Sequence, residues 1–140
     1  MARTLLAAPK EGNAMSLRLL LTLAGGLEIL AGLAALITPA PVVAVLLGVP
    51  IEPIAAVLTR LFGAGVFALG VACLKARSDF ASPAGLAVSL GMTSYNLLAA
   101  VVIIWAAVGL SLGGLLLWAA GIGHAVLGVL FLSALVGTSR

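Results

Sequence analysis

Four stretches of the chain stay apolar for roughly the 20 residues that a bilayer core of about 30 Å demands at about 1.5 Å per helical residue. They span residues 17–37, 54–74, 84–107 and 112–135. Thr38, Pro39, Ala40 and Pro41 stop the first. The second lies between Pro53 and the polar run Lys75, Ala76, Arg77, Ser78, Asp79. Ser82 and Pro83 open the third, with proline where the first turn of a helix tolerates it. Gly109, Leu110 and Ser111 form the short link to the fourth. The runs show none of the two-residue alternation of a membrane barrel, so each predicts a helix. Between the first two, Pro41 to Gly48 is apolar but too short to cross, and it predicts a short helix lying at the interface or capping the bundle. The expected fold is all-α: an integral membrane four-helix bundle over residues 17–135. Residues 1–16 read as a cytoplasmic tail, with Met15 as an alternative start, and 136–140 as a cytoplasmic C-terminus.

Composition agrees with that pattern. Of 140 residues, 64% are hydrophobic and 8% charged, which excludes a water-soluble globule. Seven Lys and Arg among 140 residues are too few to follow a nucleic-acid backbone. The first run exceeds the roughly 7–15 apolar residues of a signal peptide and ends without a small-x-small site, so it reads as a retained span. Arg3, Lys10, Arg18, Lys75, Arg77 and Arg140 fall on one side of the predicted bundle, whereas the other two links hold only Glu52. The positive-inside rule puts both termini in the cytoplasm, as a multi-pass protein of the inner (cytoplasmic) membrane.

Chemistry is restricted to few residues. A single cysteine, Cys73, cannot form an internal disulfide, and one histidine with four carboxylates leaves no metal-ligand pattern or cofactor motif. Each span nevertheless carries one costly polar residue: Glu28, Arg60, Asn96 and His124. Measured from the expected cytoplasmic ends, Glu28 and His124 lie at about 16 Å, Asn96 at about 18 Å and Arg60 at about 21 Å. Around them stand small residues that favour close helix contact: Ala24, Gly25, Ala31, Gly32 and Ala35, then Ala56, Gly63 and Ala64, then Ala120, Gly121 and Gly128. Leu23, Leu30 and Leu33 are expected to face lipid. In the third span Ser89, Thr93 and Asn96 make a polar stripe, with Ser94 and Tyr95 off it. Trp105 and Trp118 suit interfacial anchoring.

Unpaired charge at mid-bilayer costs about 2.5–3.5 kcal/mol, so Glu28 and Arg60, the only opposite charges within the spans, are expected to pair; the alternative is that Arg60 snorkels outward, toward Glu52. Three readings follow. In the first, the polar layer binds a small lipid-soluble ligand bearing a quinone, carbonyl or hydroxyl oxygen. Arg60, Asn96 and Thr93 then contact it, and Glu28 and His124 serve as acid and base if the site also turns it over. In the second, Glu28 and Arg60 only lock the helices of a structural or partner-binding protein. In the third, Glu28 exchanges protons in a transporter, a role that a carboxylate locked to Arg60 cannot fill. Glycine-rich faces are compatible with a homodimer.

The segments GGLEILAGLAALITP, TRLFGAGVFALGVACLKAR and LWAAGIGHAVLGVLF resemble the small bacterial four-helix membrane proteins grouped as DoxX-like. That resemblance implies a membrane bundle, with links in some members to quinone or thiol redox chemistry. Glu28 also matches the single membrane-embedded glutamate in the first helix of the small multidrug resistance transporters.

Overall fold

The computed structural model describes residues 11–137, with side chains from residue 17 onward. Arg3, Lys10 and Arg140 lie outside the described residues. Within them the chain forms five helices: α1 (Glu11–Ile37), α2 (Pro39–Leu47), α3 (Pro53–Ala76), α4 (Pro83–Gly109) and α5 (Leu117–Gly137). All but α2 contain a stretch long and apolar enough to cross a bilayer. This is a small multi-pass membrane protein.

Proline sets most of the boundaries. It has no N–H to continue a hydrogen-bond ladder, but its fixed φ suits a first helical turn. Pro39, Pro53 and Pro83 occupy the first positions of α2, α3 and α4. Thr38 folds its hydroxyl back onto the Ala34 carbonyl at 3.0 Å as α1 ends. The short apolar segment is a helix, as expected, and Gly48 closes it at φ +75°, a left-handed conformation that favours glycine. At the start of α4, Ser82 caps the helix by accepting the Gly85 N–H at 3.0 Å.

The fourth span begins later than its apolar run. Residues 110–116 form an irregular link before α5 starts at Leu117. Ser111 sits there at φ 53°, and Leu116 N–H donates to the Val45 carbonyl of α2 at 3.1 Å. Gly114 lies so close to the Leu46 backbone that a Cβ would not fit. That late start places Trp118 in the first turn of α5, so both tryptophans are exposed at the end of the bundle where α2 lies, as interfacial anchors require.

The bundle is two antiparallel pairs. Helix α1 packs along α3 and α4 along α5, while contacts between the pairs are sparser. In the first pair the backbones nearly touch at two places one heptad apart. A Cβ on Gly25 would stand 3.0 Å from the Gly70 carbonyl oxygen, and one on Gly32 would stand 2.7 Å from that of Gly63. This is small-residue packing, which drives association where lipid tails leave little hydrophobic gain from burying leucine. The second pair uses glycine against side chains: Gly128 receives Leu97, and Gly121 receives Ile103 and Ile104. At the end where α1 begins, Leu17, Leu21, Ala24, Cys73, Met92, Phe131 and Ala134 form an apolar core drawn from all four long helices. Leu23, Leu30 and Leu33 are exposed, as their lipid-facing assignment requires.

Candidate functional site

One turn beyond that core, the buried stripe of α1 reaches Glu28. The stripe runs Leu17, Leu21, Ala24, Glu28, Gly32 and Ala35 at three- and four-residue spacing, and Glu28 is only 5% exposed. On α4 two adjacent rows are covered because the helix meets two neighbours. Ser89, Thr93, Asn96 and Ala100 are buried on one row, and Met92 and the half-buried Tyr95 belong to the next. Helix α5 contributes His124, half-buried between Gly121 and Gly128 on its inward stripe.

These side chains form a connected polar chain. Tyr95 donates its hydroxyl to Glu28 Oε2 at 3.5 Å, a loose contact by the 2.5–3.0 Å norm for O–H···O bonds. The Tyr95 ring meets the His124 ring edge to face, with centroids 5.5 Å apart and planes at 88°. His124 Nδ1 lies 2.9 Å from Asn96 Oδ1, and Asn96 Nδ2 donates to the Met92 carbonyl at 2.8 Å. The chain thus runs from α1 through α4 to α5, across the seam between the two helix pairs. Thr93 and Ser89 are buried, and their hydroxyls donate to the Ser89 and Gly85 carbonyls, each at 2.9 Å.

Two expectations change. Arg60 does not join the layer, and no ion pair links it to Glu28 among the described residues. The buried face of α3 runs Gly63, Val66, Gly70 and Cys73, and extending its spacing backwards reaches the half-buried Thr59 and Ala56. Arg60 is one residue further, about 100° round the helix, and is exposed on the outer side of α3. It stands seven residues after Pro53, the first residue of α3. At about 1.5 Å per residue that depth lets a long side chain reach back to the headgroups. Tyr95, by contrast, is a member of the polar chain rather than off the inward face. Its signal in the sequence was the pairing with Met92 on a second buried row, invisible when α4 is given only one neighbour.

Comparison with protein-family models, with curated proteins and with solved structures returned no match to this chain. The DoxX-like resemblance therefore rests on glycine placement and helix count alone. The chemistry must be read from the residues themselves: a carboxyl, a phenol, an imidazole and an amide brought together within the membrane, with no three of His, Cys, Asp and Glu grouped for a metal among the described residues.

The placement of Arg60 makes a prediction. Arg60→Met should change thermal stability in detergent by no more than about 0.5 kcal/mol, as for a substitution away from structural contacts. Breaking a buried pair would instead cost about 3–5 kcal/mol. A loss of that size on unfolding would restore the ion pair.

Proposed function

We propose that the protein binds a small lipid-soluble ligand at the seam between its two helix pairs, with Glu28, Tyr95 and His124 facing it and Asn96 holding the imidazole in place. The observation that carries this reading is the cluster of polar side chains at the seam, contributed by three helices and joined by hydrogen bonds and a ring contact, with the Glu28–Tyr95 contact loose at 3.5 Å. Intramembrane ionisable residues are rare and by default functional. Arg60 has no part in this site, and Thr93 supports it by turning the buried face of α4 polar.

The test is mass spectrometry of lipids, quinones and other small molecules that co-purify with the wild-type protein and with His124→Ala. An apolar molecule with a polar head, present in the first extract and depleted in the second, is the expected result. Identical extracts with no ligand in either would overturn the reading.

A second reading, proton-coupled transport, gains from one observation: among the described residues no guanidinium stands against Glu28 to hold it. It requires proton release when cationic substrates are added to the solubilised protein, and no release between about pH 5 and pH 9 would remove it. Loss of the Glu28–Arg60 lock weakens the purely structural reading for the same reason.

In orientation, Arg18, Lys75 and Arg77 gather at the end where α1 begins, and Arg18 Nε donates to the Arg77 carbonyl at 3.3 Å. That end belongs in the cytoplasm of a cell whose inner membrane holds the protein. A cysteine introduced as Ser139→Cys should react with an impermeant maleimide only after the cells are permeabilised; labelling of intact cells would invert the topology.

A further inference from the structure

Five donor groups of the polar layer turn a hydrogen inward, onto the protein. Ser89 donates to Gly85, Thr93 to Ser89 and Asn96 Nδ2 to Met92, each onto a backbone carbonyl of α4. Tyr95 donates to Glu28. The fifth donor follows by elimination. The Met92 carbonyl can only accept, so the amide nitrogen of Asn96 must face it and the amide oxygen must face His124. Oxygen Oδ1 has no hydrogen, so Nδ1 of the imidazole carries it. In the neutral ring Nε2 is then a bare lone pair.

What the imidazole leaves for a ligand is an acceptor. Glu28 uses Oε2 toward Tyr95, while its Oε1 and His124 Nε2 have no partner among the described residues. No buried side-chain nitrogen or oxygen among the described residues is left unsatisfied, so these two atoms are accessible ones. Glu28 itself is 5% exposed, a polar side chain held inside with one oxygen unengaged.

From this arrangement we infer that the ligand is a hydrogen-bond donor: a lipid-soluble alcohol, phenol or amine, which places its O–H or N–H against His124 Nε2, and not a bare ketone or quinone carbonyl. This rests on the ligand-binding reading and narrows it, because a carbonyl oxygen would meet the lone pair of His124 Nε2 and leave that acceptor unmatched. A site built for a hydrogen bond rejects the analogue that lacks it. Asn96 is the positioning residue: it fixes the tautomer of His124 without touching the ligand.

The experiment uses para-octylphenol, its methyl ether and para-octylacetophenone as probes of matched apolar bulk, titrated into the full-length protein in detergent. Binding is followed by nitrogen-15 NMR of the imidazole, which is unambiguous because the chain has one histidine. In the free protein Nδ1 should be protonated and Nε2 bare. The phenol should shift the Nε2 resonance and bind roughly tenfold or more tightly than the ether or ketone, the scale of one buried hydrogen bond left unmade. In Asn96→Leu, which keeps the volume and frees the ring to change tautomer, that preference should fall to about twofold or less.

A free protein with hydrogen on Nε2 would overturn the inference, as would a preference that persists in Asn96→Leu. Ketone binding as tight as phenol binding would overturn it too, yet leave the ligand site standing. No shift from any probe would defeat the inference and the ligand site together.

Discussion

Gly32→Leu should lose about 3 kcal/mol or more of stability, and with it much of the folded protein in mild detergent. A Cβ on Gly32 would lie 2.5 Å from the Phe67 backbone nitrogen and 2.7 Å from the Gly63 carbonyl oxygen. Backbone cannot swing aside as a side chain can, so α1 and α3 must separate along that whole turn. Overpacking a well-filled interior costs about 1–3 kcal/mol when side chains absorb it, and this site lies at or beyond the upper end. The control is Gly26→Leu, because nothing lies within 4 Å of a Cβ there. Thermal unfolding of the two variants should differ by many degrees. Equal melting would mean that the close approach of α1 and α3 is not what holds the pair.

Reversing the charge at Glu28 tests the polar layer with comparable force. Glu28→Lys places an ammonium at a position 5% exposed, facing Tyr95, with no carboxylate from the other spans to meet it. An unpaired charge at that depth costs about 2.5–3.5 kcal/mol. The second reversal, Arg60→Glu, should fail to rescue it, because residue 60 projects from the exposed side of α3 while residue 28 is buried against its neighbours. Detergent unfolding of both singles and the double gives the coupling between the sites. Coupling below about 0.5 kcal/mol is expected for positions with no shared contact. Recovery of wild-type stability in the double would show that the two side chains meet after all.

How far the sequence leads is clearest in the contrast between Arg60 and Glu28. Length and hydropathy suffice for the number of spans, since a bilayer sets one thickness and each run must match it. They cannot say which face points inward. In water the apolar face of a helix marks the core. In lipid the outer face is apolar too: Leu23, Leu30, Phe62 and Val102 are all exposed. Small residues carry the signal instead, and on α1 they largely mark the contact face: Ala24, Gly25, Gly32 and Ala35 are buried, while Ala31 is exposed. On α3 small residues occur on both sides, with Gly63 buried and Ala64 exposed, and so Arg60 was placed one position off the contact face.

Asn96 and His124 were legible together because each falls on a stripe that spacing alone defines. Tyr95 was not, because its row is covered only once α4 is seen to touch α1 as well as α5, and which non-consecutive helices meet is a property of the assembled bundle. The start of α5 was missed for another reason. Residues 112–116 are apolar but contain Gly113 and Gly114, and Gly114 is held against α2, a contact between segments far apart in the chain.

The division into two helix pairs also bears on the order of folding. Helices α1 to α3 end at Ala76 and α4 begins at Pro83, so each pair is contiguous in the chain and the two share only a short link. Each hairpin can form from local contacts as it enters the membrane. Glu28, however, belongs to the first hairpin, and Tyr95, Asn96 and His124 belong to the second. Neither half contains the Glu28–Tyr95 contact, so the polar chain is completed only when the halves dock. Its formation is then a late event in assembly. Residues 1–79 and 80–140 expressed as separate chains should recombine in the membrane, and ring-current shifts between Tyr95 and His124 should already be present in the second fragment alone. A second fragment without those shifts would mean that the first half is needed to shape it.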